Sequence, residues 1–145
     1  MVPDADALAQ FASNRACYEY VVQVMRSEPT VTRVELTNDG KLTVSPTRPS
    51  TLDIERLRTV MMQGNISAFA GPERQGSDVY VGIPISSSGL SISGSSKSFI
   101  HTEGSVSECV STSDTDQYMR GVSSSGFSCA YRRIGRNWYL LHTQN

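Results

Sequence analysis

The last predicted hairpin of the chain carries the clearest information about its fold, and it reads FSCAYRRIGRNWYLL at Phe127–Leu141. A glycine at the first central position of a two-residue loop is typical of a type II′ turn, which predicts Gly135 and Arg136 at the tip. This register sets Tyr131 opposite Leu140. Strand alternation then puts five residues on one face, which we expect to belong to the core: Phe127, Cys129, Tyr131, Trp138 and Leu140.

Cysteine usage favours an oxidising compartment. Cys109 and Cys129 flank a Ser/Gly-rich stretch and lie in short strand-like segments, a context that favours a disulfide over a buried thiol or a metal site. Cys17 is expected to be free. The opening residues lack the basic and apolar regions of a signal peptide, and their Pro/Ala/Asp-rich composition resembles the start of a chain after leader removal. We therefore expect a periplasmic or otherwise exported protein, with a cytoplasmic protein carrying three thiols as the alternative.

Length and charge limit the remaining classes. A chain of 145 residues is expected to form one domain, residues 1–145. The net charge of -1 lacks the basic excess of nucleic-acid-binding proteins. No apolar run approaches the roughly 20 residues that a membrane-spanning helix needs. We expect neither a nucleic-acid partner nor a transmembrane segment.

The first half of the chain predicts a helix, a hairpin and a second helix. Asp4 or Asp6 is expected to cap a helix that begins near Ala7 and ends before Pro29. Alternation around Asn38-Asp39-Gly40 predicts a three-residue hairpin loop that pairs Val34 with Val44 and Leu36 with Leu42, with Gly40 left-handed. Ser50 or Thr51 is expected to cap the second helix, and Gly64 to end it.

The second half predicts only strands. Val79, Val81, Ile83 and Ile85 alternate and indicate one buried face, while Pro84 on the other face suggests an edge strand. Further strands are expected from Leu90, at 99–102 and at 106–110. The resulting class is α+β: two helices with an antiparallel sheet of about five to seven strands, ending in a meander.

No pattern of catalytic or metal-binding residues stands out. His101 and His142 are the only histidines, the Gly-x-Ser-x-Gly pattern of a nucleophile elbow is absent, and no Cys or His pair has zinc-ligand spacing. Lys97 does not follow a glycine as it would in a phosphate-binding loop. Asp114 and Asp116 are interpreted as a solvated turn, because no Gly and Glu follow at the spacing of a calcium loop. We expect no enzyme, no cofactor and no metal.

The Cys-bearing last strand and the Gly-Arg-Asn-Trp-Tyr-Leu-Leu hairpin resemble those of small bacterial periplasmic and lipoprotein domains, among them immunity proteins of type VI secretion. The resemblance implies a non-enzymatic protein that blocks the active site of a secreted effector. The alternative is a periplasmic ligand-binding or envelope-associated module. Polar loops on a rigid scaffold are common binding surfaces. The candidate partner-binding residues are Ser87, Ser88, Asp114, Asp116, Tyr118, Arg133 and Arg136.

Overall fold

The computed structural model describes residues 1–71, 74–75, 78–90, 93–104, 106, 108–122 and 126–145; the side chains at 74–75, 78–79, 86–90 and 93 are outside the description. Within these ranges it contains three helices and ten strands. The helices are α1 (Asp4–Ser27), α2 (Ile54–Gln63) and α3 (Thr115–Arg120). The strands are β1 (Arg33–Leu36), β2 (Leu42–Ser45), β3 (Ala68–Ala70), β4 (Arg74–Gln75), β5 (Asp78–Val79), β6 (Val81–Leu90), β7 (Ser93–His101), β8 (Val110–Ser111), β9 (Ser128–Gly135) and β10 (Trp138–Gln144).

Eight of these strands form one sheet in the order β2-β1-β3-β6-β7-β10-β9-β8, and β4 and β5 pair separately. The predicted α+β class is confirmed, with slightly more strands than expected. The sheet is mixed, because β8 pairs parallel to β9. A parallel pair needs a crossover, and here the chain after β8 passes through α3 before it returns as β9.

All three helices of the described part lie on the same face of the sheet. Phe11 and Tyr18 of α1 pack against Phe99 of β7 and Trp138 of β10, with ring centroids 5.1–6.2 Å apart. Buried side chains of α2, among them Leu57, join the same core. The prediction that Trp138 is buried is confirmed, since its side chain is fully inaccessible.

Local turn and cap signals predicted the first half well. Val34 pairs with Val44, Leu36 pairs with Leu42, and Gly40 has φ +83°. Gly64 ends α2 as expected, but its N-cap is Asp53, whose carboxylate accepts from the Arg56 amide. The prediction of Ser50 or Thr51 as the N-cap was therefore wrong by a few residues. Asp53, further along the chain, supplies the side-chain oxygen that accepts the hydrogen bond of the cap.

The register of the last hairpin was wrong by one residue. Asn137 adopts φ +63°, which asparagine tolerates, so the turn is centred on Arg136 and Asn137 and a bulge follows between Trp138 and Tyr139. Tyr131 consequently pairs with Leu141 instead of Leu140. Alternation from this register puts Cys129 and Tyr131 on the face opposite Trp138, and Phe127, expected in the core, is 65% exposed.

Strand β6 is an interior strand and not the predicted edge strand. Its neighbour β3 reaches only to the pair Ala70–Gly82, so the exposed Pro84 lies beyond the end of β3, next to a bulge in the β6–β7 ladder. Proline is tolerated there because no hydrogen bond of the ladder is lost. Val79 belongs to β5 and not to this strand. The strand expected at 106–110 is reduced to the two residues of β8, which begins at Val110.

Candidate functional site

The short helix α3 was missed by the sequence analysis and supplies part of the candidate site. The Asp114 carboxylate accepts a hydrogen bond from the Gln117 amide at 3.0 Å and so caps the helix. Asp116 lies in its first turn. The interpretation of Asp114 and Asp116 as a solvated turn was therefore wrong. An aspartate cap followed by Gln, Met and Arg before Gly121 was the sequence signal that could have revealed the helix.

A buried polar cluster joins the first turn of α1, strands β7 and β10, and α3. We call it the Lys97 cluster, and its members are Asp4, Lys97, Thr115, Asp116 and His142. The Lys97 side chain is 0% exposed. Its Nζ donates to the Val2 carbonyl at 2.8 Å, to Asp4 Oδ1 at 2.8 Å and to Asp116 Oδ1 at 2.7 Å. All three ammonium protons are therefore used.

Asp4 is the most enclosed acid of the cluster. It was expected to cap α1, but Pro3 occupies the N-cap position. The Asp4 carboxylate instead accepts hydrogen bonds from residues of other elements. Its Oδ1 accepts from Thr115 Oγ1 at 2.5 Å, and its Oδ2 accepts from the Thr115 amide at 2.7 Å. Burial alone would raise the pKa of Asp4, but the hydrogen bonds from Lys97 and Thr115 and the Lys97 charge outweigh it and hold the pKa below its usual value.

His142 completes the cluster on β10. Its Nδ1 lies 3.2 Å from Thr115 Oγ1 and 3.7 Å from Asp116 Oδ1. Because the Thr115 hydroxyl already donates to Asp4, its oxygen is left to accept, and we assign the proton of His142 to Nδ1. Burial, followed by the Lys97 charge, lowers the pKa of His142 more than the nearby carboxylates raise it. The ring is therefore neutral at neutral pH.

The charged and polar groups of this cluster are bonded to one another. Asp4, Asp114 and Asp116 each bring a carboxylate oxygen within 4.8 Å of the others, a spacing that would suit a metal ion. The Lys97 ammonium, however, bonds two of these carboxylates and already supplies the compensating charge. Thr115 beside His142 resembles a nucleophile and its base, but its side chain is fully buried and its hydroxyl proton is bound to Asp4.

A cleft of about 540 Å³ opens beside the cluster. Polar side chains of three elements line it together with apolar ones. The lining includes Pro3, Ser95, Asp116, Met119, Arg120, His142 and Gln144. Arg120 is exposed and forms no ion pair with any residue in the described ranges.

The opposite face of the sheet presents a second candidate surface. Tyr131 of β9 and Tyr139 and Leu141 of β10 alternate with core residues and are half-buried. Together with the buried Ile100 of β7 beside them they form what we call the tyrosine face. The rings of Tyr131 and Tyr139 meet edge to face with centroids 5.7 Å apart. Since the three helices of the described part all lie on the other side of the sheet, none of them covers this face. The exposed Arg133 extends it toward the β9–β10 turn.

The predicted partner-binding residues do not lie on one surface. Ser87 and Ser88 belong to β6 and pair with Ser96 and Ser95 of β7, so they are part of a strand rather than a loop, and their side chains lie outside the described residues. Arg133 and Arg136 lie at the other end of the sheet, about six residues or roughly 20 Å away along the strands. The remaining three, Asp114, Asp116 and Tyr118, cap or belong to α3 on the helical face.

The predicted disulfide between Cys109 and Cys129 is present, and Cys17 is free. The bridge joins the residue before β8 to the second residue of β9. A disulfide of this kind is compatible with an exported protein. Across the described residues, the structure has no helix with the length and apolar character needed to cross a bilayer.

Comparison with known proteins found no matching family model, no matching curated protein and no matching solved structure.

Proposed function

We propose that this chain is a non-enzymatic binding domain that contacts another protein through its tyrosine face and the adjoining β9–β10 turn. The observation that carries the proposal is the half-buried pair Tyr131 and Tyr139, whose rings meet edge to face on the sheet beside Leu141, on the side away from the helices. Tyrosine is enriched in the buried centres of protein interfaces, where it supplies a large contact area with a polar tip.

The charge next to this face favours an acidic partner. Arg133 and Arg136 form no salt bridge with any residue that the structure describes. Arg133 contributes one hydrogen bond to the Gly135 carbonyl, which holds its side chain near the turn. Cations at the rim of an interface speed association with an acidic surface and fix its orientation.

The size of the face shows how far an interface must extend. The three strands β7, β10 and β9 present a rectangle of roughly 20 by 15 Å. A stable complex buries about 800 Å² on each partner, so the strands alone are too small. A partner that binds here also has to cover the turn at Gly135–Asn137, which brings Arg133 and Arg136 into the contact.

We take the partner to be a secreted bacterial effector whose active site carries catalytic carboxylates, and the chain to be its periplasmic immunity protein. The resemblance of the last hairpin to such proteins supports this partner, and the Cys109–Cys129 bridge is compatible with the compartment. The arginines of the turn would then meet the carboxylates of the effector and block access to its substrate.

The test is co-expression in the periplasm with the product of the adjacent gene, with growth and the affinity of the purified pair as readouts. Tyr131→Ala and Tyr139→Ala should each weaken binding by about 2 kcal/mol or more, as interface anchors do. Tyr118→Ala on α3 is the matched control and should leave the affinity unchanged.

A double charge reversal, Arg133→Glu with Arg136→Glu, should slow association and remove its dependence on salt. If Tyr118→Ala weakens binding and the Tyr131 variant does not, the contact lies on the helical face and this proposal is wrong. Substrate turnover by the purified chain that is lost on changing His101 or His142 would overturn the non-enzymatic assignment itself.

A further inference from the structure

The cleft beside the Lys97 cluster contains a fixed hydrogen-bond acceptor. His142 is 4% exposed and its Nδ1 proton points to Thr115, so the lone pair of the neutral ring is on Nε2, at the other edge of the ring. No residue in the described ranges bonds Nε2, and Nε2 is not fully enclosed. Because His142 lines the cleft, Nε2 is available to a donor that enters it.

Charges of both signs also reach the cleft. Arg120 lines the cleft and has no ion pair with a described residue. Asp116 on the same helix is 27% exposed, although its Oδ1 is held by Lys97 and its Oδ2 accepts a hydrogen bond from the Asp4 amide. The charged side chains that line the cleft are Arg120 and Asp116, one of each sign. A ligand with separate positive and negative groups would therefore find an opposite charge for each of its ends.

Part of the cleft wall is apolar. Met1, Pro3 and the buried Met119 supply this part, while Ser95 and Gln144 add polar side chains. Its volume of about 540 Å³ lies within the range of small-ligand sites, roughly 300–1,000 Å³. The site thus combines an acceptor, two opposite charges and an apolar wall in a space suited to a small molecule.

We propose that this cleft binds a free α-amino acid with an apolar side chain. The ligand's ammonium donates to His142 Nε2 and faces Asp116, its carboxylate is held by Arg120, and its side chain packs along Met119 and Pro3. The site lies on the helical side of the sheet and is separate from the tyrosine face, so it goes beyond the proposed protein-binding function and does not depend on it.

Titration of the full chain with L-leucine tests this proposal, with leucinamide and N-acetyl-leucine as matched ligands that each lack one charge. We expect saturable binding of L-leucine and at least about tenfold weaker binding of the other two, since each loses one charged hydrogen-bonding group. The ring signals of His142, one of only two histidines, should shift on titration in an NMR spectrum of the wild-type chain.

Arg120→Gln should weaken L-leucine binding about tenfold or more. Arg48→Gln is the control, since Arg48 is also exposed but follows β2 at the far edge of the sheet, and it should change nothing. The proposal is wrong if L-leucine shows no saturation up to about 10 mM, if leucinamide or N-acetyl-leucine binds equally well, or if the His142 signals do not move.

Discussion

Replacing Lys97 by methionine tests the Lys97 cluster directly, because methionine keeps most of the stem and removes only the charge. Lys97 is fully buried and its ammonium bonds Asp4, whose side chain is 6% exposed, and Asp116, whose side chain is 27% exposed. Without the ammonium, Asp4 retains the Thr115 hydrogen bonds but has no counter-charge. Removing one partner of a buried ion pair typically costs about 3–5 kcal/mol.

That cost is a large part of the roughly 5–15 kcal/mol that stabilises a domain. The free energy of unfolding is measured by urea denaturation with Trp138 fluorescence as the probe. Lys41→Met in the exposed first hairpin is the control and should stay within about 0.5 kcal/mol of the wild type.

A second substitution isolates the electrostatic cause. Adding Asp4→Asn to Lys97→Met removes the more buried of the two carboxylates that lose their counter-charge, so the double variant should be more stable than the sum of the single effects by about 0.5–3 kcal/mol. A loss below about 1 kcal/mol for Lys97→Met, or strict additivity in the double variant, would refute the argument that charge compensation holds this site together.

Three further outcomes are expected. Trp138→Ala should lower the free energy of unfolding by about 3–5 kcal/mol in urea denaturation, and an unchanged midpoint would place the ring outside the core. Thiol counting on the unreduced chain should find one free thiol, and Cys109→Ala with Cys129→Ala should cost about 3 kcal/mol of stability for a loop closed over 20 residues. The free energy of unfolding should fall as the pH drops below about 6.5, because the pKa of His142 is lowered in the folded chain and the unfolded chain therefore takes up this proton first. It should fall again below about pH 4, because the pKa of Asp4 is also lowered in the folded chain and the unfolded chain again takes up the proton first. His142→Asn should reduce the first of these slopes and keep the second.

The features that the sequence predicted correctly depend on nearby residues. The pairing of Leu36 with Leu42 follows from alternation around one loop, and Gly40 supplies its left-handed residue. The Cys109–Cys129 bridge could be predicted because the chain has only three cysteines, which leaves few possible pairs. In each case the deciding residues lie within a short segment or belong to a small set of alternatives.

The Lys97 cluster could not be found in the same way. Lys97 meets Asp4 across 93 residues, and the Thr115 hydroxyl meets Asp4 across 111. No periodicity or motif connects such positions, and the residues around Lys97 match no pattern beyond a poor likeness to a phosphate-binding loop. The predicted position of the last turn was wrong for a different reason. Both Gly135 and Asn137 can occupy a turn position with positive φ, and in the structure, where Trp138 packs in the core, it is Asn137 that does so.

The disulfide also protects an edge of the sheet. Strand β8 contributes only Val110 and Ser111, both exposed, and it is held against β9 by this two-residue ladder, the hydrogen bond from the Thr112 amide to the Tyr131 carbonyl and the adjacent Cys109–Cys129 bridge. If β8 were released, the eight-residue strand β9 would become a free edge with a row of unpaired amides and carbonyls. Such an edge can pair with the same edge of a second molecule. Reduction would therefore change how many copies of the chain associate, which makes the bridge a guard against aggregation as well as a source of stability.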